Sequence, residues 1–133
     1  PFTSAKEISE LLAKKMPKGK IHPATLPFQG IRIEVNDELG VLERLFNSLE
    51  NAKFKNCIVA IISFHSLEDR IVKNYFKKWT KSCICPDGVF RCECGNNHAL
   101  GKIITKKPII PTALEIKQNP RSRSSKLRIF KFD

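Results

Sequence analysis

No apolar run in these 133 residues approaches the roughly 20 needed to cross a bilayer. The first residues carry neither a signal peptide nor a lipidation motif. Membrane insertion is therefore not expected, and a cytoplasmic protein is. Acidic residues are few, 13 against 24 lysines and arginines, leaving a net charge of +11. That imbalance argues against a polycationic or purely neutral partner and for a polyanion, with nucleic acid favoured over a merely solvated basic surface. Gly-x-Gly-x-x-Gly, a P-loop, His-Glu-x-x-His and a paired-carboxylate signature are all missing, so no catalytic motif stands by itself. Internal repeats and low-complexity tracts are missing too, and one modest domain with a real core is the default.

What is present is unevenly placed. Four of the five cysteines crowd between Cys83 and Cys94. Their odd number and the absence of any sign of secretion favour reduced thiols over a disulfide framework. In "CICPDGVFRCECGNNH" a Cys-x-Cys pair recurs after six residues, with His98 close behind. Pro86, Asp87 and Gly88 can fold the stretch back, so Cys83, Cys85, Cys92 and Cys94 could bind zinc. Two residues between paired cysteines would be the stronger signal. Ordinary small side chains, or thiols that oxidise on purification, are the alternatives. Basic residues gather at Lys14, Lys15, Lys18 and Lys20; at Lys77, Lys78 and Lys81; at Lys102, Lys106 and Lys107; and at Arg121, Arg123, Lys126, Arg128 and Lys131.

Ser4 stands three residues before Glu7, a capping-box spacing that predicts a helix to about Met16. The proline- and glycine-bearing stretch from Pro17 to Gly30 reads as a loop crossing a surface. From Phe28 the apolar positions Ile31, Val35, Leu39, Leu42, Phe46 and Leu49 follow at steps of three and four, predicting one helix to Glu50. Gly40 should weaken it by roughly 1 kcal/mol, and a break or close contact is expected there. "CIVAIISF" is apolar throughout and predicts a central parallel strand, Cys57 to Ser63, buried on both faces. A helix marked by Leu67, Ile71, Tyr75, Phe76 and Trp79 comes next, with Ser66 as its N-cap. The stretch "KIITKKPIIPTALEI" suits edge-like strand pieces, and Lys126 to Phe132 alternates as a strand. The order is that of an α/β fold. A doubly buried strand needs more neighbours than this sequence offers, so further strands are expected before Pro1 or from a second copy in a homodimer that exchanges elements.

Two stretches invite a functional reading. "SFHSLEDR" puts Ser63, Phe64, His65 and Ser66 at the carboxyl end of the predicted strand, where open α/β sheets bind ligands. No glycine flanks either serine, which discounts a hydrolase elbow. His65 either fills the strand-to-helix turn or serves a site. In "NPRSRSSKLR", Asn119-Pro120 starts a turn, and Arg121 and Arg123 with the serines suit phosphate oxygens.

Taken together, "HPATLPFQGIRIEVNDEL" (His22 to Leu39), "ISFHSLEDRIVKNYF" (Ile62 to Phe76) and "NPRSRSSKLRIF" (Asn119 to Phe130) resemble the C-terminal half of the MraW-type family. These are ribosomal RNA small subunit methyltransferases that use S-adenosylmethionine to methylate N4 of a cytidine in 16S rRNA. The resemblance implies part of a class I, Rossmann-like methyltransferase sheet, with residues 1–20 ending a helical insertion domain. Residues 21–133 would then be the C-terminal half of the methyltransferase domain, with a Cys-rich loop at 83–98. Ile103 to Ile110 and Lys126 to Phe132 would be the closing strands. It implies that the main S-adenosylmethionine site lies upstream of Pro1. The pocket's second wall would be Arg32, Asn36, Ser63, Phe64 and Ser66, with His65 in a catalytic role. Arg121, Arg123, Lys106 and Lys107 would meet RNA, the partner being 16S rRNA or the small ribosomal subunit. A non-enzymatic RNA-binding module with a Cys-bound metal is the alternative.

Overall fold

The computed structural model describes residues 3–17, 19, 21–86, 88 and 90–133. Lys18 and Lys20 of the first basic patch, and Asp87 of the turn between the cysteine pairs, lie outside them. Two compact units divide the chain, residues 1–41 and 42–133. Among the described residues no helix is long and apolar enough to cross a membrane.

In the first unit the capping signal is realised. Helix α1 spans Ala5–Lys15, and the Ser4 hydroxyl accepts from the Glu7 amide at 3.4 Å. Glu7 reaches back to Thr3, accepting from its hydroxyl at 2.5 Å and its amide at 3.1 Å. Those two bonds hold the Glu7 carboxyl below its ordinary range.

The single helix expected from Phe28 to Glu50 is two helices, α2 (Thr25–Val35) and α3 (Glu38–Asn51). The chain breaks at Asp37, whose φ of 48° is left-handed, a conformation that Asp tolerates better than most residues. The apolar period runs through the break unchanged, because periodicity records which face is apolar and not whether the backbone turns. Gly40 follows closely: a Cβ there would overlap the Asp37 carboxylate, which would have to rotate aside.

The second unit holds the sheet. Strand β1 spans Ile58–Ser63, helix α4 Ser66–Trp79, strand β2 Gly101–Ile103, helix α5 Ala113–Gln118, and strand β3 Lys126–Phe132. A 3₁₀ turn, Pro120–Ser124, leads into β3. The strand order is β1-β3-β2, with β3 antiparallel to both neighbours. Thus β1 and β2 run the same way, and α4 is the crossover between them. This is a mixed α/β unit with a small sheet.

The expected parallel, doubly buried strand is corrected on both points. The described partner of β1 is antiparallel, and its residues alternate: Ile58 and Ile62 are 64% and 58% exposed, whereas Val59 and Ile61 pack on the core. The cause is one-sided cover. Phe46 of α3, with Val72, Phe76 and Trp79 of α4, meets Phe130 and Phe132 of β3 in one aromatic cluster, each at most 2% exposed. The rings pack edge-on and tilted, Trp79 lying 5.3 Å from Phe130 and 5.1 Å from Phe132. The polar end of Trp79 is satisfied by Glu50, which accepts its Nε1–H at 3.0 Å and the Lys78 ammonium at 2.8 Å.

Downstream, the expected strand from Ile103 to Ile110 shrinks to β2 and one isolated bridge, Ile109 to Leu127. Pro108 and Pro111 flank that bridge and cannot donate to a ladder. "TALEI" is helical, since Thr112 accepts from the Glu115 amide at 3.2 Å and caps α5.

Candidate functional site

The turn from β1 into α4 is built around His65. It is His65 and not Ser66 that caps the helix: its Nδ1 accepts from the Glu68 amide at 3.3 Å. The Glu68 carboxylate returns the bond, taking the His65 amide at 3.1 Å and the Phe64 amide at 2.8 Å. This is a capping box with an imidazole in the place usually taken by a hydroxyl. An Nδ1 that accepts from an amide leaves the proton of the neutral ring on Nε2. That nitrogen is buried, 3.5 Å from Glu68 Oε1. Phe64 projects from the same turn, 55% exposed. Ser63 is buried beneath it, its hydroxyl donating to the Lys126 carbonyl at 3.4 Å, and Ser66 is exposed.

His65→Ala removes the cap, and a loss of about 0.5–2 kcal/mol in folding stability is expected, with His65→Asn recovering most of it. Urea midpoints at unchanged slope measure both variants.

Beneath the turn lies an ion-pair network that the sequence did not reveal. Asp69 is buried, and Arg128 is only 8% exposed. Arg128 donates twice to Asp69, Nε to Oδ1 at 2.7 Å and Nη2 to Oδ2 at 3.2 Å, and Lys126 Nζ adds a bond at 3.3 Å. The Arg128 hydrogen bonds outweigh burial and, helped by the attraction of Lys126, hold the Asp69 carboxyl below its ordinary range. Two members of the last basic patch are thereby spent on the fold. Arg121 and Arg123 remain exposed on the 3₁₀ turn, which Asn119 organises by accepting from the Arg121 amide at 3.3 Å. Lys106 and Lys107 are exposed. Lys106 joins Lys73, Lys77 and Arg128 around a cavity of about 140 Å³. Three of these cations belong to basic patches visible in the sequence, but their convergence from α4, β3 and the segment after β2 had no signal there.

In the first unit, Arg32 and Asn36 meet on one carboxylate. Arg32 Nε lies 2.8 Å from Glu38 Oε1, and Asn36 Nδ2 donates to the same oxygen at 3.3 Å. Arg32 and Asn36, both expected in the pocket wall, are thus tied together by a residue beyond the end of α2.

The fourfold cysteine spacing also gathers. The sulfurs of Cys83, Cys85, Cys92 and Cys94 all lie within 4.8 Å of one another. The Ile84 amide, and then that of Asn96, draw the Cys94 thiol down to about 5. The Cys85 amide acts the same way on Cys83, but the neighbouring Cys92 and Cys94 sulfurs push that thiol up to about 12.

The model of the MraW methylase family matches residues 1–133. The chain is 87% identical over 133 residues to the ribosomal RNA small subunit methyltransferase H of Aliarcobacter butzleri (strain RM4018), covering 100% of this chain and 44% of that protein. It is 63% identical over 135 residues to the protein of the same name from Helicobacter hepaticus (strain ATCC 51449 / 3B1), covering 98% of this chain and 43% of that one. With the one from Campylobacter concisus (strain 13826) it shares 58% over 131 residues, at 98% and 43% coverage. The chain therefore spans less than half the length of these relatives. With every residue of the chain matched by the family model, the chain belongs to the MraW methylase family.

Proposed function

We propose that the whole protein transfers a methyl group from S-adenosylmethionine to N4 of a cytidine in 16S ribosomal RNA, free or in the small subunit, and that this chain is the C-terminal, substrate-side portion of the enzyme. The family match over the whole of this chain carries this reading. The sheet supports it physically. β1 and β2 run the same way with one antiparallel strand, β3, between them, a mixed arrangement that large α/β sheets also carry, and the exposed face of Ile58 and Ile62 leaves apolar surface for more of the domain to cover. On this reading residues 1–20 end a helical insertion, and residues 21–133 continue the class I methyltransferase domain.

The cofactor, when bound, supplies an electrophilic methyl group. No residue of this chain is assigned to hold it: there is no glycine-rich turn, and the carboxylate at the strand end, Glu68, is already committed to two amides. Its binding residues are assigned to the remainder of the whole protein. This chain's own residues position the target. Chemistry on a base requires it to leave its stack, and half-exposed Phe64 offers a face on which the extruded base can stack. His65, its ring locked inside the turn, acts as a positioning residue that sets Phe64 and Ser66. Arg32 and Asn36, held on Glu38 in the first unit, are assigned to substrate contact as well. Arg121, Arg123, Lys106 and Lys107 contact the RNA backbone, where Arg forks and lysine ammoniums gain from phosphate.

The test is methyl transfer by the whole protein to 16S rRNA and to small subunits, read by nucleoside mass spectrometry. Calorimetric titration of S-adenosylmethionine into the whole protein and into this 133-residue chain runs beside it. N4-methylcytidine, with cofactor binding by the whole protein alone, is the expected result. RNA affinity without cofactor binding by either would overturn the proposal in favour of a non-enzymatic RNA-binding module.

A further inference from the structure

The loop between α4 and β2 has a tied stem, and among the described residues between its ties no large apolar side chain is buried. The Leu100 amide donates to the Trp79 carbonyl at 2.8 Å, and the His98 amide to the Ser82 carbonyl at 2.9 Å, so the chain leaves and re-enters the fold at a clasp. Between these points the described large apolar side chains, Ile84 and Phe90, are exposed. No hydrophobic core offsets the entropy of ordering such an excursion. At its centre stand four sulfurs instead. Cys83 to Cys92 is 3.6 Å, Cys92 to Cys94 3.5 Å and Cys94 to Cys83 3.7 Å. A zinc–sulfur bond of about 2.3 Å implies a tetrahedral sulfur–sulfur edge of about 3.8 Å, and the observed separations sit within a few tenths of an ångström of it. They are far too long for a disulfide, whose sulfurs stand about 2.05 Å apart.

We propose that Cys83, Cys85, Cys92 and Cys94 form a closed four-thiolate site for a structural zinc ion that holds this loop together. The surroundings suit it. The Ile84 amide donates to the Cys94 sulfur at 3.4 Å, and His98 Nε2 lies 2.8 Å from the Cys94 carbonyl, the kind of outer shell that orients metal ligands. Gly95 and Asn96, both with positive φ at 83° and 54°, turn the backbone sharply after the last cysteine. Cys83, Cys85 and Cys92 line a cavity of about 470 Å³, which gives the ion a path in. Lys81 in the same wall is placed to offset the excess negative charge of four thiolates around a dication. Binding displaces the remaining thiol protons to solvent. All four coordination positions are filled by protein, so the ion does no chemistry on substrate, and the site stands independently of the methyl-transfer proposal. The interleaved contacts also explain how Cys-x-Cys pairs serve: each sulfur meets partners from the opposite arm of the loop as well as its own.

The test is cobalt(II) titration of the whole protein, reduced and metal-free, with zinc determination on protein purified without added metal. One equivalent is expected, with the thiolate-to-cobalt charge transfer and visible bands of a tetrahedral four-sulfur site. Cys92→Ser should weaken binding by more than the ~10–100-fold that losing an outer-shell partner costs, and Cys57→Ala, outside the cluster, should leave it unchanged. The wild-type spectrum decides the case even if a variant fails to fold. Absence of the four-sulfur spectrum, or equal binding after all four cysteines are changed to serine, overturns the proposal.

Discussion

Asp69→Ala is expected to lower folding stability by about 3–5 kcal/mol, the cost of leaving one partner of a buried ion pair without the other. Arg128 is 8% exposed and spends two donors on this carboxylate, so after the substitution its charge sits in the sheet beside the aromatic cluster. Asp69→Asn should fall between, because an amide oxygen still accepts one bond but carries no charge. The native pair need not add much net stability, since desolvation offsets much of the attraction; the loss measured is mainly the cost of the stranded guanidinium. The same pair sets a pH dependence. The folded-state acidity of Asp69 is shifted below its unfolded value, first by the Arg128 hydrogen bonds. Its contribution is therefore fully present above the unfolded value near 3.9 and is lost as pH falls through the folded one. Urea midpoints of the whole protein from pH 7 down to pH 3 should show wild type losing stability in the acid range more steeply than Asp69→Asn. A substitution cost under about 1 kcal/mol would mean that the pair is solvated.

Gly101→Ala is the second large effect expected, about 3 kcal/mol, the upper end of the ordinary cost of overpacking. Gly101 is buried opposite Phe132, and a Cβ added there would overlap the Lys131 carbonyl oxygen and press on the Phe132 backbone. Main chain cannot rotate aside as the end of a flexible side chain can. The strand must move away, and with only three residues in β2 its pairing with β3 has little to hold it. Hydrogen exchange should show loss of protection at Lys102 and at Ile104, whose amide donates to the Ile129 carbonyl at 2.9 Å, while the amides of the β1–β3 ladder stay protected. Unchanged exchange and stability would show that β2 carries no constraint from β3.

The limits of the sequence lie at identifiable residues. The Ser4 cap of α1, the strand ending at Ser63, the helix through Trp79 and the strand from Lys126 to Phe132 were legible, because each depends on residues within a turn or two of one another. The break at Asp37 was not, since a left-handed residue leaves the apolar period untouched. Thr112 and Glu115 did carry a capping signal for α5, hidden behind the β-branched residues and prolines before it. At the candidate site, His65 was visible as a residue of interest but not as the cap, because imidazole is an uncommon member of a capping box.

The sequence by itself determined the strand–helix order from β1 through α4, the last strand, the basic excess, the cysteine spacing and membership of the family, all of which are local or additive properties of the chain. Only the tertiary structure decided that β3 lies between β1 and β2, that Asp69 takes Arg128 across 59 positions, and that two Cys-x-Cys pairs close on one centre. The physical reason is the same in each case. Periodicity and caps follow from backbone geometry over a few residues, whereas the choice among many distant carboxylates, cations and strands of similar chemistry is made by which of them the packed core brings within reach.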